Sequence, residues 1–185
     1  LNTCEEGLGN SNGCRYIVEQ YKNRIKSFIS FDGYLNQCTN SAVGSKRYRL
    51  TVHCQGGHSY ADFGKENAIE TLSKIMYELS HQQIPTEAKT TYNFGKIEGG
   101  TTINAIASTA TLLYEYRSSM QNCLDIMEKQ FQEIVSHYSN VEIEILGVRP
   151  GNGLLNQEKF EKFTDHNVRL IKEYYLDDVE KCANG

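Results

Sequence analysis

The sequence lacks the features that mark linkers, membrane spans and polyanion binders. Only two of its 185 residues are proline and no stretch is of low complexity, so no disordered tail or long linker is indicated. No apolar run approaches the roughly 18 residues that a transmembrane helix needs, and the first residues do not resemble a signal peptide. The net charge of −4 disfavours a nucleic-acid partner. These absences predict a globular protein that binds neither nucleic acid nor membrane.

Paired cysteine motifs are absent as well. None of the six cysteines forms a CxxC pair or has a zinc-finger spacing. A chain of this length can build its core without disulfides, so scattered cysteines indicate reduced thiols and a cytoplasmic location.

Periodic apolar positions between residues 47 and 148 predict one complete domain. Strand-like segments are KRYRLTVHC, KTTYNFGKI, STATLLYEYR and NVEIEILGV, of which the first and last alternate most clearly. Helical spacing occurs in KENAIETLSKIMYELSHQ and NCLDIMEKQFQEIVSHY. The resulting order, β-α-β-β-α-β, predicts a ferredoxin-like α+β fold with a four-stranded antiparallel sheet and two helices on one of its faces.

The flanks, residues 1–46 and 149–185, do not complete a second domain. They contain a helical pattern from Gly13, a short apolar strand that ends at Asp32, and a second helical pattern from about Asn156 to Tyr175. We interpret these segments as pieces of a larger domain.

Three acidic residues of the first flank are candidates for chemistry. Glu5 and Glu6 are adjacent, and Gly7 and Gly9 permit a sharp turn, so one carboxylate could bind a metal while the other takes a proton from metal-bound water. Asp32 follows an apolar strand, and a rigid element could fix it as a metal ligand. A solvated loop and an Asp-Gly turn explain the same residues without chemistry.

Four further candidates are polar residues at loops and strand ends. His58 lies in a loop after two glycines, and Asn104 lies in GGTTIN. Arg117 ends a strand, and Arg149 directly follows the last strand, where a guanidinium could hold a carboxylate bidentately. Each of them is equally compatible with an ordinary surface position.

Taken together, these motifs resemble the M20 family of zinc-dependent peptidases and amidohydrolases. The similarity rests on TCEEGLGN, FDG, RYRLTVHCQGGHSYADFGKENAI, GKIEGGTTINAIASTATLLYEYR and RPGNG, in that order, and covers essentially the entire chain. Its most specific parts, GGHS..FG..NAI and GG.T.N.IA, are typical of the family's inserted lid, or dimerisation, domain. The resemblance implies that residues 47–148 are this lid and that residues 1–46 and 149–185 are parts of an α/β catalytic domain.

The resemblance also implies a metal centre. Glu5 would be the general base and Glu6 a metal ligand, and Asp32 would bind one of two zinc ions per subunit, with cobalt or manganese as alternatives. The family's first metal-binding segment would lie before Leu1 and its last histidine ligand after Gly185. We therefore expect an internal fragment that is inactive by itself.

For the lid, the resemblance implies contacts with substrate. His58 would stabilise the tetrahedral intermediate, often in the partner's active site. Asn104 and Arg117 would line the site for the substrate carboxylate, and Arg149 is a further candidate there. Glu115 departs from the family's frequent aspartate two positions before the arginine.

The expected parent is a cytoplasmic enzyme that hydrolyses di- or tripeptides. Alternatives are a deacylase of N-acyl amino acids, a dimerisation module, or a ferredoxin-like regulatory domain. An open sheet exposes unpaired edges, so we expect a twofold homodimer through the helix near Lys65–Gln82 and its neighbouring edge strand.

Overall fold

The computed structural model describes residues 11–25, 41–151 and 153–154, together with positions 158 and 162. The predicted strand before Asp32 lies outside these residues, and of the predicted C-terminal helix only positions 158 and 162 are described, both helical. In chain order the described elements are α1 (Asn12–Tyr21), β1 (Ser41–Ala42), β2 (Gly44–His53), β3 (Gly57–His58), α2 (Ala68–Ser80), β4 (Thr90–Gly99), β5 (Ala105–Ile106), β6 (Thr109–Ser118), α3 (Gln121–Ser136), β7 (Val141–Arg149) and β8 (Gly153–Leu154).

The main sheet has four antiparallel strands in the order β4-β6-β2-β7. With α2 between β2 and β4 and α3 between β6 and β7, this is the ferredoxin-like β-α-β-β-α-β arrangement. The predicted α+β fold is therefore confirmed.

One face of the sheet carries the core. Alternate residues of β2 are fully buried, namely Tyr48, Leu50 and Val52, as the period-2 pattern requires. The ring of Phe131 on α3 stacks against Tyr48, with 4.2 Å between ring centroids, and both helices contribute buried residues to the same cluster. Both helices thus cover this face.

The opposite face of the sheet is polar. Arg49 on β2 forms an ion pair with Glu144 on β7, and the end of β2 places His53 3.2 Å from Glu142. Most residues that point away from the helices are polar, and Leu113 of β6 is an apolar exception beside Arg49. The described residues therefore form two layers, helices and sheet.

A carboxylate joins the sheet to α3 inside the domain. Glu128 accepts hydrogen bonds from the hydroxyls of Tyr48 and Tyr116 and forms an ion pair of 2.9 Å with Lys46. Burial disfavours its charge, but the hydrogen bonds from Lys46 and the two tyrosines outweigh this and lower the pKa of Glu128.

The chain enters and leaves the domain side by side. β1 pairs antiparallel with β8, with Ala42 opposite Gly153. Beside this pair, a Cβ on Gly44 would lie 2.5 Å from the backbone nitrogen of Gly151 and from Leu124 Cδ1, so only glycine permits this close approach. Among the described residues, no helix is long and apolar enough to cross a membrane.

Candidate functional site

Two loops meet at the sheet end where β2 finishes and β6 begins. β3 and β5, one from each loop, form a short ladder in which His58 is opposite Ala105. The backbone nitrogen of Ser59 donates to the carbonyl of Asn104 at 3.0 Å. The structure thus brings the candidates His58 and Asn104 together, and both are exposed.

The turn that carries His58 is closed by Asp62. Asp62 Oδ2 accepts a hydrogen bond of 2.8 Å from the backbone nitrogen of His58, and the Asp62 nitrogen donates to the His58 carbonyl at 2.9 Å. Lys65 Nζ lies 2.8 Å from Asp62 Oδ1. Bonds from Lys65 and from the His58 backbone hold the pKa of the Asp62 carboxyl below its usual value.

The imidazole of His58 is oriented by its own turn. The backbone nitrogens of Tyr60 and Ala61 both donate to His58 Nδ1, at 3.2 and 3.3 Å. A nitrogen that accepts hydrogen bonds carries no proton, so the neutral ring is protonated at Nε2. Nε2 lies on the other side of the ring, and this edge of His58 can act as a hydrogen-bond donor.

The two positions before His58 require glycine for different reasons. Gly56 has φ +73°, a left-handed conformation that favours glycine. Gly57 has no room for a side chain, because a Cβ there would lie 2.7 Å from Asp62 Oδ2. The tight curvature and the close approach that the sequence indicates for this loop are both present.

Arg117 lies near the end of β6 in an ion-pair cluster. Its Nε and Nη2 donate to the two carboxylate oxygens of Glu115 at 2.9 and 3.1 Å, and Arg47 Nε donates to the same carboxylate at 3.2 Å. Burial disfavours the charge of Glu115, but the two arginines outweigh it and lower its pKa. The bonds to Glu115 raise the pKa of Arg117. Three N–H groups of Arg117 have no acceptor among the described residues and can bind another group.

Arg149 is the last residue of β7. Ser45 of β2 pairs with Arg149 on one side and with Arg117 of β6 on the other. It lines a cavity of about 270 Å³ between β2, β7 and α3. Its Nε is buried and has no hydrogen-bond partner among the described residues.

The candidates therefore form two groups at opposite ends of the sheet. Thr109, beside the His58 loop, and Arg117 are eight positions apart on β6, and at about 3.4 Å per residue this is roughly 27 Å. His58 and Asn104 are at one end; Arg117 and Arg149 are at the other.

The acidic candidates Glu5, Glu6 and Asp32 lie outside the described residues. Within the described ranges, no group of three histidine, cysteine, aspartate or glutamate side chains could hold a metal ion.

The sequence from residue 40 to residue 141 matches the family model of the peptidase dimerisation domain. The chain belongs to the M20 family. A search of curated proteins finds no match. Solved structures share the fold at low sequence identity.

Three of these structures share the M20 lid fold. One is an aminobenzoyl-glutamate utilization protein from Klebsiella pneumoniae, with a TM-score of 0.51, 14% identity, 61% of this chain and 32% of that chain covered. An amidase of the hydantoinase/carbamoylase family from Burkholderia phymatum has a TM-score of 0.52 and 17% identity, and the match covers 60% of this chain and 30% of that chain. A protein described as an aminohydrolase, from methicillin-resistant Staphylococcus aureus, has a TM-score of 0.53 and 18% identity, and the match covers 75% of this chain and 36% of that chain. The chain thus spans about a third of their length.

Sequence reasoning did not identify Asp62 or the role of Glu115. The signal for Asp62 is its position four residues after His58, which an α-turn brings back to the histidine backbone. The signal for Glu115 is its position two residues before Arg117, which places both side chains on one face of a strand.

Proposed function

We propose that this chain is part of a homodimeric M20 metallopeptidase that hydrolyses short peptides in the cytoplasm, and that it contains the lid of that enzyme. The observation that carries the proposal is the imidazole of His58, exposed and oriented as a hydrogen-bond donor within a peptidase dimerisation domain. Free thiols at Cys54 and Cys123 agree with a reducing compartment.

The metal centre in this proposal is held outside the described residues. Glu6 and Asp32 are proposed as ligands of zinc, with Glu5 as general base, as the motifs imply. When bound, such a centre would polarise the scissile carbonyl and activate water.

His58 and Asn104 are proposed to contact the reacting carbonyl. For Asn104 this replaces the expectation that it lines the carboxylate site with Arg117, because Asn104 lies beside His58 and Arg117 of the same lid is at the other end of β6. Nε2–H of His58 donates a hydrogen bond to the oxygen that becomes negative in the tetrahedral intermediate. Asn104 Oδ1 already accepts a bond of 2.9 Å from Thr102 Oγ1, which leaves the amide N–H groups as donors. A donor oriented before substrate binds stabilises the transition state at little reorganisation cost.

Arg117 is proposed to bind the substrate carboxylate. Glu115 holds one edge of the guanidinium through Nε and Nη2, and the remaining N–H groups can bind a carboxylate. A carboxylate at the end of a di- or tripeptide fits this site, as does that of an N-acyl amino acid. The deacylase is therefore the second candidate.

The separation of the two groups supports a site built from two chains. A short peptide cannot span the roughly 27 Å between the His58 loop and Arg117. In a twofold dimer, His58 and Asn104 of one lid would complete a site that uses Arg117 of the other subunit.

A complementation experiment tests this arrangement in the full-length enzyme. His58→Ala and Arg117→Ala are each expected to abolish most dipeptidase activity, and the two variants are then coexpressed with different affinity tags. Mixed dimers contain one intact site, so the coexpressed pool should recover about a quarter of wild-type activity, because half of its dimers are mixed. Arg49→Ala is the matched control, since Arg49 is on the same sheet face and has nearly the same side-chain exposure, 42% against 43%.

Each outcome separates the alternatives. Recovery on a peptide panel supports the two-chain peptidase, and recovery only on N-acyl amino acids supports the deacylase. Mixed dimers that form and stay inactive would contradict the two-chain site. A wild-type enzyme with no amidase activity on either panel would contradict the proposed function.

A further inference from the structure

The orientation of the His58 ring depends on a turn that Asp62 closes with both its side chain and its backbone nitrogen. Tyr60 and Ala61 can direct their N–H groups to Nδ1 only while residues 58–62 keep their conformation. Asp62 bonds both ends of this turn: its carboxylate accepts from the His58 nitrogen, and its own nitrogen donates to the His58 carbonyl.

We propose that Asp62 is the positioning residue that keeps His58 in the Nε2–H tautomer. Its carboxylate closes the turn, the closed turn presents two backbone donors to Nδ1, and those donors confine the proton to Nε2. The effect of Asp62 on catalysis rests on the proposed function, whereas its effect on the His58 tautomer does not.

The surroundings of Asp62 favour this role over that of an ordinary surface aspartate. Gly57 leaves the space that the carboxylate occupies, because a Cβ there would be 2.7 Å from Asp62 Oδ2. Lys65 holds the other oxygen at 2.8 Å. With both oxygens engaged, the carboxylate has one position, and it is the position that fixes the His58 backbone.

The tautomer can be measured directly by nuclear magnetic resonance. Two-bond ¹H–¹⁵N correlation spectra of the 185-residue chain at about pH 8.5, where an ordinary imidazole is neutral, distinguish a protonated from an unprotonated ring nitrogen. The His58→Gln spectrum identifies the His58 signals. We expect Nδ1 to have the shift of an unprotonated nitrogen and Nε2 that of a protonated one.

Four variants separate the contributions at Asp62. Asp62→Ala removes the acceptor and should give a mixture of both tautomers. Asp62→Glu moves the carboxylate by one methylene and should do the same, and it replaces the alanine variant if that one fails to fold. Asp62→Asn retains an acceptor for the His58 nitrogen and Lys65→Gln leaves it in place, so both should preserve the wild-type tautomer.

The outcomes are decisive in both directions. Wild-type tautomer populations in Asp62→Ala or in Asp62→Glu, with a dispersed backbone spectrum, would overturn the proposal, as would an Nδ1–H ring in the wild type. In the active enzyme, Asp62→Ala should lower kcat about tenfold with KM little changed. Asp62→Asn should have a kcat close to that of the wild type. If the enzyme shows no amidase activity, the proposed function fails while the spectra still test Asp62.

Discussion

Glu128 is the residue on which the polar contacts of the core converge. It receives two tyrosine hydroxyls and an ammonium group in a partly buried position between the sheet and α3. Hydrogen bonds to a charged group stabilise a protein by about 1.5–3 kcal/mol. Loss of this charge therefore weakens the attachment of α3 to the sheet.

We predict that Glu128→Gln lowers the free energy of unfolding by about 1.5–3 kcal/mol at neutral pH. The pKa of Glu128 is depressed in the folded state, so its stabilisation is complete above the ordinary value of 4.5 and is lost as pH falls through the folded pKa. Urea unfolding at several pH values should show the gap between wild type and variant closing in acid. Glu133→Gln, an exposed carboxylate on the same helix, is the control; an equal effect there would contradict the assignment.

The stability that Tyr48 contributes has the opposite dependence on pH. Burial, followed by its hydrogen bond to Glu128, raises the pKa of Tyr48 to about 12. A raised pKa in the folded state gives stability that is complete below the unfolded value of about 10 and is lost as pH rises through the folded value. Between these two values, unfolding monitored by circular dichroism should depend less steeply on pH in Tyr48→Phe than in the wild type. An unchanged slope would exclude Tyr48 as a source of alkaline unfolding.

At the scale of elements, α2 begins with a clear cap. Asn67 has extended backbone, and its Oδ1 accepts from the Ile69 nitrogen at 3.0 Å. We predict that Asn67→Ala destabilises the domain by about 1 kcal/mol, because one N–H group of the first turn loses its acceptor. Asn67→Asp supplies a carboxylate acceptor at the same position and should lose little. Thermal unfolding of the two variants side by side checks this, and equal losses would contradict a capping role.

The elements differ in how far the sequence predicts them. β2 follows from strict alternation, since Tyr48, Leu50 and Val52 are all buried, and α2 and α3 follow from their apolar faces. The ladders of β1 with β8 and of β3 with β5 are two residues long. Strands this short show no alternation of apolar and polar residues that the sequence could reveal. The unpaired Gly95 and Leu146 in the two edge strands are bulges, which depend on pairing with a neighbouring strand.

The candidate site was predictable in its residues and not in its arrangement. The motifs point to His58, Asn104 and Arg117, and the predicted strand STATLLYEYR already lies between Asn104 and Arg117. Their spacing does not indicate that His58 lies with Asn104, apart from Arg117. That separation follows from the strand order, which pairs β3 with β5 beyond one end of β6. The contact of Asp62 with the His58 backbone likewise depends on a turn conformation that composition does not encode.

For the whole molecule, the face of α2 and β4 carries exposed apolar side chains. Ile97 on β4 is 55% exposed, and Ile69 on α2 packs over Gly99 of the same strand. Tyr77 on α2 is also exposed. We predict that Ile97→Lys converts the proposed dimer to monomers, because a twofold interface through this face would bury two added ammonium groups, one from each lid, against apolar surface. Light scattering after gel filtration measures the mass of each species.

Ile145→Lys is the matched control for the dimer. Ile145 is 56% exposed and lies on β7, at the opposite edge of the sheet. If that variant dissociates and Ile97→Lys does not, the partner occupies the β7 edge instead.

The pairing of β1 with β8 has a consequence for how such a protein can be built. Ala42 and Gly153 are opposite each other, so the polypeptide crosses into the lid and out of it at one point. The two ends of the described domain are separated by about one strand spacing, near 5 Å, so a host surface needs only a gap of that width to accept such a domain as a single insertion.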